Sequence, residues 1–165
     1  MGLLCYSVDM KTIPLTQGKI ALVDDEDFEE LSKYNWHNAG RYAVRHTSRK
    51  SPGGRKTVFM HRQIMNAPSG KQVDHKNGNR YDNRKSNLRF STQLQNCWNA
   101  CTRKDNKTGY KGVHYRPKSK DFVVYISVNK KRIHLKTYRN IDDAIKARKE
   151  AELKYHGEFA YQRRA

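Results

Sequence analysis

The chain has 165 residues and a formal net charge of +18, from 34 Lys and Arg against 16 Asp and Glu. That excess is larger than solubility requires and favours a polyanionic partner, nucleic acid first. No apolar run approaches the roughly 20 residues of a spanning helix, which argues against a membrane protein, and the length allows one ordinary domain or two small ones.

The first nine residues, Met1 to Asp9, show no periodicity that ties them to the rest of the chain, so Met10 is a candidate natural start and the nonamer reads as disordered. Met1 to Ser7 has no basic region ahead of its short apolar stretch, and Tyr6 occupies the Ser/Thr position of a myristoylation signal. A soluble, cytoplasmic protein is the expectation. Cys5, Cys97 and Cys101 are odd in number and lack CxxC pairing, which predicts reduced thiols and no zinc site.

Ile20, Leu22 and Val23 predict a strand, and Asp25 to Tyr34 a short helix with acidic residues in its first turn, where the helix dipole favours them. Tyr42 to Arg45 and Thr57 to Met60 read as two strands joined by a turn-rich loop, Ser48 to Gly54, and together they lead to His61. From Val73 the pattern is strand, polar loop through Ser86, strand Asn87 to Phe90, then a helix from about Thr92 to Cys101. Residues 102–108 hold no apolar side chain and predict a linker, with a domain boundary near residue 105.

Beyond the linker, Tyr110 to Tyr115, Phe122 to Val128 and Arg132 to Tyr138 predict three strands. A helix comes next, from an Asn140 N-cap to about Tyr155, before Gly157. Val124, Ile126, Ile133 and Leu135 are expected to face the helix, leaving Tyr125, Ser127, Arg132 and His134 outward. The charge lies mostly at this end: residues 1–60 carry 9 basic and 7 acidic side chains, residues 61–105 carry 9 and 3, and residues 106–165 carry 16 and 6.

The stretch VDHKNGNRYDNRKSNLRFSTQLQNCWN, residues 73–99, contains one Asp-His pair and six asparagines. Asparagine suits turns and left-handed backbone, so that density predicts a shaped loop. An isolated Asp-His pair reads most simply as solvated loop residues. The joint arrangement of Asp74, His75, Asn87 and Asn96 on strand, loop, strand and helix resembles the HNH endonuclease family, in the phage and intron-encoded homing branch where later histidines are replaced by asparagine. The resemblance spans residues 58–99, through VFMHRQI, VDHKNGN, DNR, SNLRFST and QNCWN.

The resemblance implies a DNA endonuclease leaving 5′-phosphate and 3′-hydroxyl ends, with His75 as general base, Asn87 supporting it, and Asp74 and Asn96 holding one divalent ion, magnesium or alternatively manganese. Lys76, Arg80, Arg84, Lys85 and Arg89 surround that site in sequence as phosphate-contact candidates. Asn83 and Asn99 read equally well as site residues or as loop and helix-end hydrogen bonders. His61 reads equally well as a packed, phosphate-contacting or catalytic residue, and stays outside the catalytic set.

Residues 106–161 resemble the plant ethylene-response-factor type of DNA-binding domain through GYKGVHYR, FVVYISV, IHLKTY, DDAIKARKEAE and HGEFA. That resemblance implies a sheet that lies in the major groove of double-stranded DNA and adds Lys111, His114 and Arg116 to the outward set. The plant family's arginine and tryptophan positions hold His114, Lys118 and His134 here, so its base preference does not transfer.

The expected fold class is therefore α+β: a ββα-metal (HNH, His-Me finger) module followed by a three-stranded antiparallel sheet packed on one helix. Residues 1–60 would support the nuclease, 61–105 form its core and linker, and 106–165 bind DNA. No small-molecule cofactor is expected, a monomer is favoured, and a phage-encoded chain would act in the host cytoplasm. A non-catalytic DNA-binding regulator on an HNH scaffold and an RNA-binding sheet stand as alternatives.

Overall fold

The computed structural model describes residues 10–100, 102 and 105–160. The readings of Met1 to Asp9 and of the Cys5 and Cys101 thiols lie outside them; Cys97 is an exposed thiol. The architecture mixes small antiparallel sheets with a few helices. No described helix is long and apolar enough to cross a membrane. By contacts the chain divides into two compact units, residues 1–91 and 92–165, so the predicted boundary near residue 105 falls inside the second unit. The reason is local: the Lys111 ammonium donates to the carbonyls of Cys97, Trp98 and Ala100 at 2.8, 2.9 and 2.9 Å, tying the helix before the linker to the sheet after it.

In the first unit β1 (Met10–Pro14) pairs antiparallel with β2 (Ile20–Asp24), and α1 (Asp25–Ser32) comes directly after. Asp25, Glu26 and Asp27 occupy the first turn of α1, as its dipole prefers. Strands β3 (His37–Ala39), β4 (Tyr42–His46) and β5 (Thr57–Phe59) make a second sheet in that order. The strand expected through Met60 stops at Phe59, because Met60 opens α2 (Met60–Ile64). The helical turn lets Met60, His61 and Ile64 bury on one side, which extended backbone would alternate between faces. A third pair, β6 (Gln72–His75) and β7 (Leu88–Ser91), completes the unit.

One apolar cluster holds this unit together: Ile13, Ala21, Val23, Leu31, Trp36, Met60, Val73 and Leu88 are all buried. The Trp36 indole closes it by donating to the Leu31 carbonyl at 2.8 Å. The long loop between β6 and β7 is stitched to β2 by a parallel bridge from Leu22 to Asp82, with Leu22 N donating to Tyr81 O and Asn83 N to Leu22 O, each at 2.8 Å. Residues before position 60 thereby brace the loop that carries the asparagines.

The second unit begins with α3 (Gln93–Asn99), capped by a reciprocal Thr92/Gln95 box, one residue after β7 ends. Its sheet has the order β10-β9-β8, from β8 (Val113–Arg116), β9 (Asp121–Val128) and β10 (Lys131–Tyr138), all antiparallel. The helix α4 (Ile141–His156) packs on this sheet, with Asn140 Oδ1 accepting from Asp142 N at 2.8 Å and Gly157 ending it at φ 53°. Val113, Val124 and Ala144 form the buried centre.

The predicted alternation holds for Val124 and Ile126, and Leu135 packs on the cluster. Ile133 departs from it and is 37% exposed. It lies on an edge strand whose register shifts between His134 and Lys136, and α4 covers the central strand more fully. Another unforeseen feature is a buried ion pair on α4, Arg148 to Glu152 at 2.9 Å.

Arg148 also explains a glycine. Its Nε donates to the Lys111 carbonyl, and a Cβ on Gly112, whose φ is +75°, would collide with Arg148 Nε and the Tyr125 carbonyl oxygen. The Tyr125 carbonyl belongs to the central strand and cannot yield cheaply. Gly112→Ala should therefore destabilise the second unit by roughly 3 kcal/mol, from backbone strain plus overpacking. Amide hydrogen exchange that accelerates across β8–β10 but not across β1–β6 would be the signature.

Candidate active site and nucleic-acid interface

The β6–β7 loop is built by its asparagines, each with identifiable partners. Asn87 Oδ1 accepts from Asn77 N at 2.9 Å, and Asn87 Nδ2 donates to the Asp82 carbonyl at 2.7 Å. Asn77 Nδ2 donates to Asp82 Oδ2, while its Oδ1 accepts from Asn79 N, both at 2.8 Å. Asp82 and Asn83 are buried at 2% and 1% exposure, so these bonds satisfy groups that water cannot reach.

His75 ends β6 at 4% exposure. Its Nε2 lies 3.3 Å from Asn83 Oδ1, and Asn83 Nδ2 donates to the Tyr81 carbonyl at 3.1 Å, which fixes the amide with its oxygen toward the imidazole. A neutral ring that donates from Nε2 carries its lone pair on Nδ1. Burial pushes the His75 pKa below the ordinary histidine value, opposed by the Asn83 hydrogen bond and the charge of Asp74. Asn83, which the sequence left ambiguous, is a side chain on His75 Nε2, while Asn87 holds the loop and, through its carbonyl, the backbone next to His75 at Lys76 N, 2.8 Å away.

Asp74 stands directly across the ladder from Arg89. The guanidinium donates to Asp74 Oδ2 from Nε at 3.1 Å and Nη2 at 2.9 Å, with both side chains at most 10% exposed. Arg89 is therefore a partner of the carboxylate. Arg84 is similarly engaged, bidentate on Asp82 at 2.8 and 2.7 Å. Lys76 Nζ donates to the Ser86 carbonyl, and Lys85 Nζ bridges Glu26 and Asp27 at 2.7 and 3.1 Å. Arg80 differs, lying over the Tyr42 ring at 4.6 Å with no ion pair among the described residues.

The Tyr42 ring is 5.2 Å from that of His61 and 6.1 Å from that of His75, and the two imidazoles are 5.1 Å apart, edge to face. His61 is 7% exposed, and burial, followed by the neighbouring His75, Arg62 and Arg80, pushes its pKa down to about 3. The ring stays neutral in the folded chain from neutrality to that value, whereas an unfolded imidazole binds a proton from about pH 6.5 downward. The unfolded state then holds more protons across that window, so stability falls as pH falls, by at most about 1.4 kcal/mol per pH unit for this group. Denaturant unfolding of the unaltered chain and of His61→Phe between those pH values should show the slope reduced in the variant.

Residues 66–97 match the family model described as HNH endonuclease. That stretch is similar to HNH endonucleases. It contains Asp74, His75, Asn83, Asn87 and Asn96, covers about a fifth of the chain, and leaves His61 and the sheet of the second unit outside. No curated protein and no solved structure matches the chain.

Asn96, the remaining residue of the predicted set, lies on α3 in the second unit. Asp74 and Asn96 each carry a hard oxygen, the donor chemistry that a divalent ion takes. Asp24, Glu26 and Asp27 also cluster within 4.8 Å. That trio is already used, since Asp24 Oδ2 accepts from Lys85 N at 2.7 Å and Lys85 Nζ bridges the other two. It fastens α1 to the loop.

In the second unit the predicted contact residues separate into two groups. Lys111 ends on the α3 carbonyls, and Arg116 is bidentate on Asp121 at 2.7 and 2.6 Å. Tyr125 is the centre of the other group: Arg132 lies over its ring at 3.8 Å, with His134 and His114 at 5.2 and 6.0 Å. Ser127 beside them is exposed. Of these, His114, Tyr125, Ser127 and Arg132 border a cleft of about 640 Å³, which Trp98 and His156, stacked at 4.4 Å, also line.

Proposed function

We propose that the protein is a divalent-metal-dependent DNA endonuclease of homing type, with the HNH segment cutting and the second unit holding double-stranded DNA. The observation that carries this reading is the buried His75–Asn83 pair, which sets the tautomer a general base needs, inside the HNH segment. His75 Nδ1 takes a proton from water as the water oxygen attacks phosphorus. The bond from phosphorus to the 3′ oxygen breaks and that oxygen takes a proton from a solvent water, leaving a 5′-phosphate and a 3′-hydroxyl.

Asp74 and Asn96 are the residues that would hold one divalent ion, magnesium or manganese, whose chemistry when bound is to neutralise charge on the leaving oxygen. Arg89 orients the Asp74 carboxylate, and Asn87 holds the loop on which Asn83 is carried. Arg80 is the cation best placed for a backbone phosphate near the two histidines. In the second unit His114, Tyr125, Ser127, Arg132 and His134 form the face offered to bases, in the manner of the ethylene-response-factor type sheet.

A supercoiled plasmid incubated with the chain and magnesium tests this. The unaltered chain should nick or linearise it, and His75→Ala and Asp74→Asn should abolish cleavage while retaining DNA binding. Tight binding with no cleavage by the unaltered chain, under magnesium or manganese, would sink the nuclease reading in favour of a regulator on the same scaffold.

A further inference from the structure

His61 is not used by the chemistry above, yet its placement is not that of a simple core residue. It sits on α2, 7% exposed, between Phe59 and Tyr42 and edge-on to His75, with ring centroids 5.6, 5.2 and 5.1 Å away. Its Nδ1 is buried and has no hydrogen-bond partner among the described residues. Leaving such a group unpaired is destabilising, a cost that a phenylalanine of similar shape would avoid. An unsatisfied buried nitrogen calls for a functional partner or a bound water to account for it.

The surroundings indicate what that partner is. Arg80, stacked on the Tyr42 ring, adds a cation that acts on both imidazoles. Enclosed among aromatic rings, His61 stays uncharged and can serve as a neutral donor beside that cation. Preorganised donors of this kind are what an oxyanion recruits in a site closed to water. We propose that His61 is a second substrate-contacting imidazole of the cleavage site, donating a hydrogen bond to a non-bridging oxygen of the phosphodiester that His75-activated water attacks. The proposal rests on the nuclease reading above. The nitrogen is sealed from solvent, so the bond requires the adjoining Tyr42 and Phe59 rings to move aside as the phosphate enters.

The test uses the full chain, supercoiled plasmid and magnesium, with His61→Phe to keep the ring shape and remove both nitrogens, and His61→Asn to restore a polar atom near the Nδ1 position. Loss of one such donor should lower kcat by about 10²-fold, with KM and DNA affinity little changed and the melting temperature not lowered. His61→Asn should recover about tenfold of that loss, which a purely packed residue would not show. Cleavage by His61→Phe within about threefold of the unaltered chain overturns the proposal. So does an Asn variant no better than Phe, or losses that track a lowered melting temperature in both. Should His75→Ala be inactive while His61→Phe cuts normally, the nuclease reading stands and this inference falls; if the unaltered chain does not cut, both fall.

Discussion

His75→Ala should lower the single-turnover cleavage rate by about 10²–10⁴-fold, the range attributed to a positioned general base, while leaving affinity for the same DNA unchanged. Truncating His75 empties a 4% exposed position beside Asn83, so some loss of stability is expected too. His75→Gln separates the two effects, because it can still bond toward Asn83 without taking a proton near neutrality. Both variants should be inactive, whereas only the alanine variant should melt earlier. A glutamine variant that cleaves at the original rate would remove His75 from the chemistry.

The second large effect concerns Arg89. Replacing it with methionine keeps much of its buried length but leaves the Asp74 carboxylate, 7% exposed at its side chain, without the guanidinium that receives its charge. Removing one partner of a buried ion pair costs about 3–5 kcal/mol. In a unit of this size that is a fall in melting temperature on the order of 10 °C or more. Arg89→Met with Asp74→Asn should recover a large part of it, because the second change removes the stranded charge; a double-mutant cycle reads the difference. Additive losses in that cycle would mean that Arg89 contributes through packing alone. Cleavage should be lost in every variant that touches Asp74 and reduced in Arg89→Met.

Much of the secondary structure was legible because local signals are strong where they occur. The helix over residues 141–156 carries its cap at Asn140 and its stop at Gly157, and both act through nearest-neighbour geometry. The ββα order around Asp74 and His75 was legible for the same reason, through alternating strands and a run of loop-forming asparagines. Strands β1 and β3 were not foreseen, since Met10 to Pro14 and the three residues of β3 offer little periodicity and owe their form to a partner strand.

The site was legible in its residue types and much less so in its pairings. Position in the chain placed Asp74, His75 and Asn83 near one another, but could not say which of two asparagines would turn its oxygen toward the imidazole. Nor could it show that Arg84, Arg89, Lys111 and Arg116 spend their charge on the protein's own carboxylates and carbonyls. A basic side chain reads the same in sequence whether its anion is DNA or a residue two strands away. That choice is made by distance and desolvation, which are tertiary quantities.

By itself, then, the sequence determined a basic chain of mixed strands and helices with a segment near its middle that resembles HNH endonucleases, since charge, capping and short-range spacing are properties of neighbours along the chain. Only the tertiary structure decided that α3 belongs with the second unit, that Asn83 orients His75, and that Arg89 holds Asp74. It alone brought His61 against His75 from fourteen positions away. Burial made the difference: it leaves His61 neutral with a nitrogen unpaired, and no local pattern records how deeply a side chain will be enclosed.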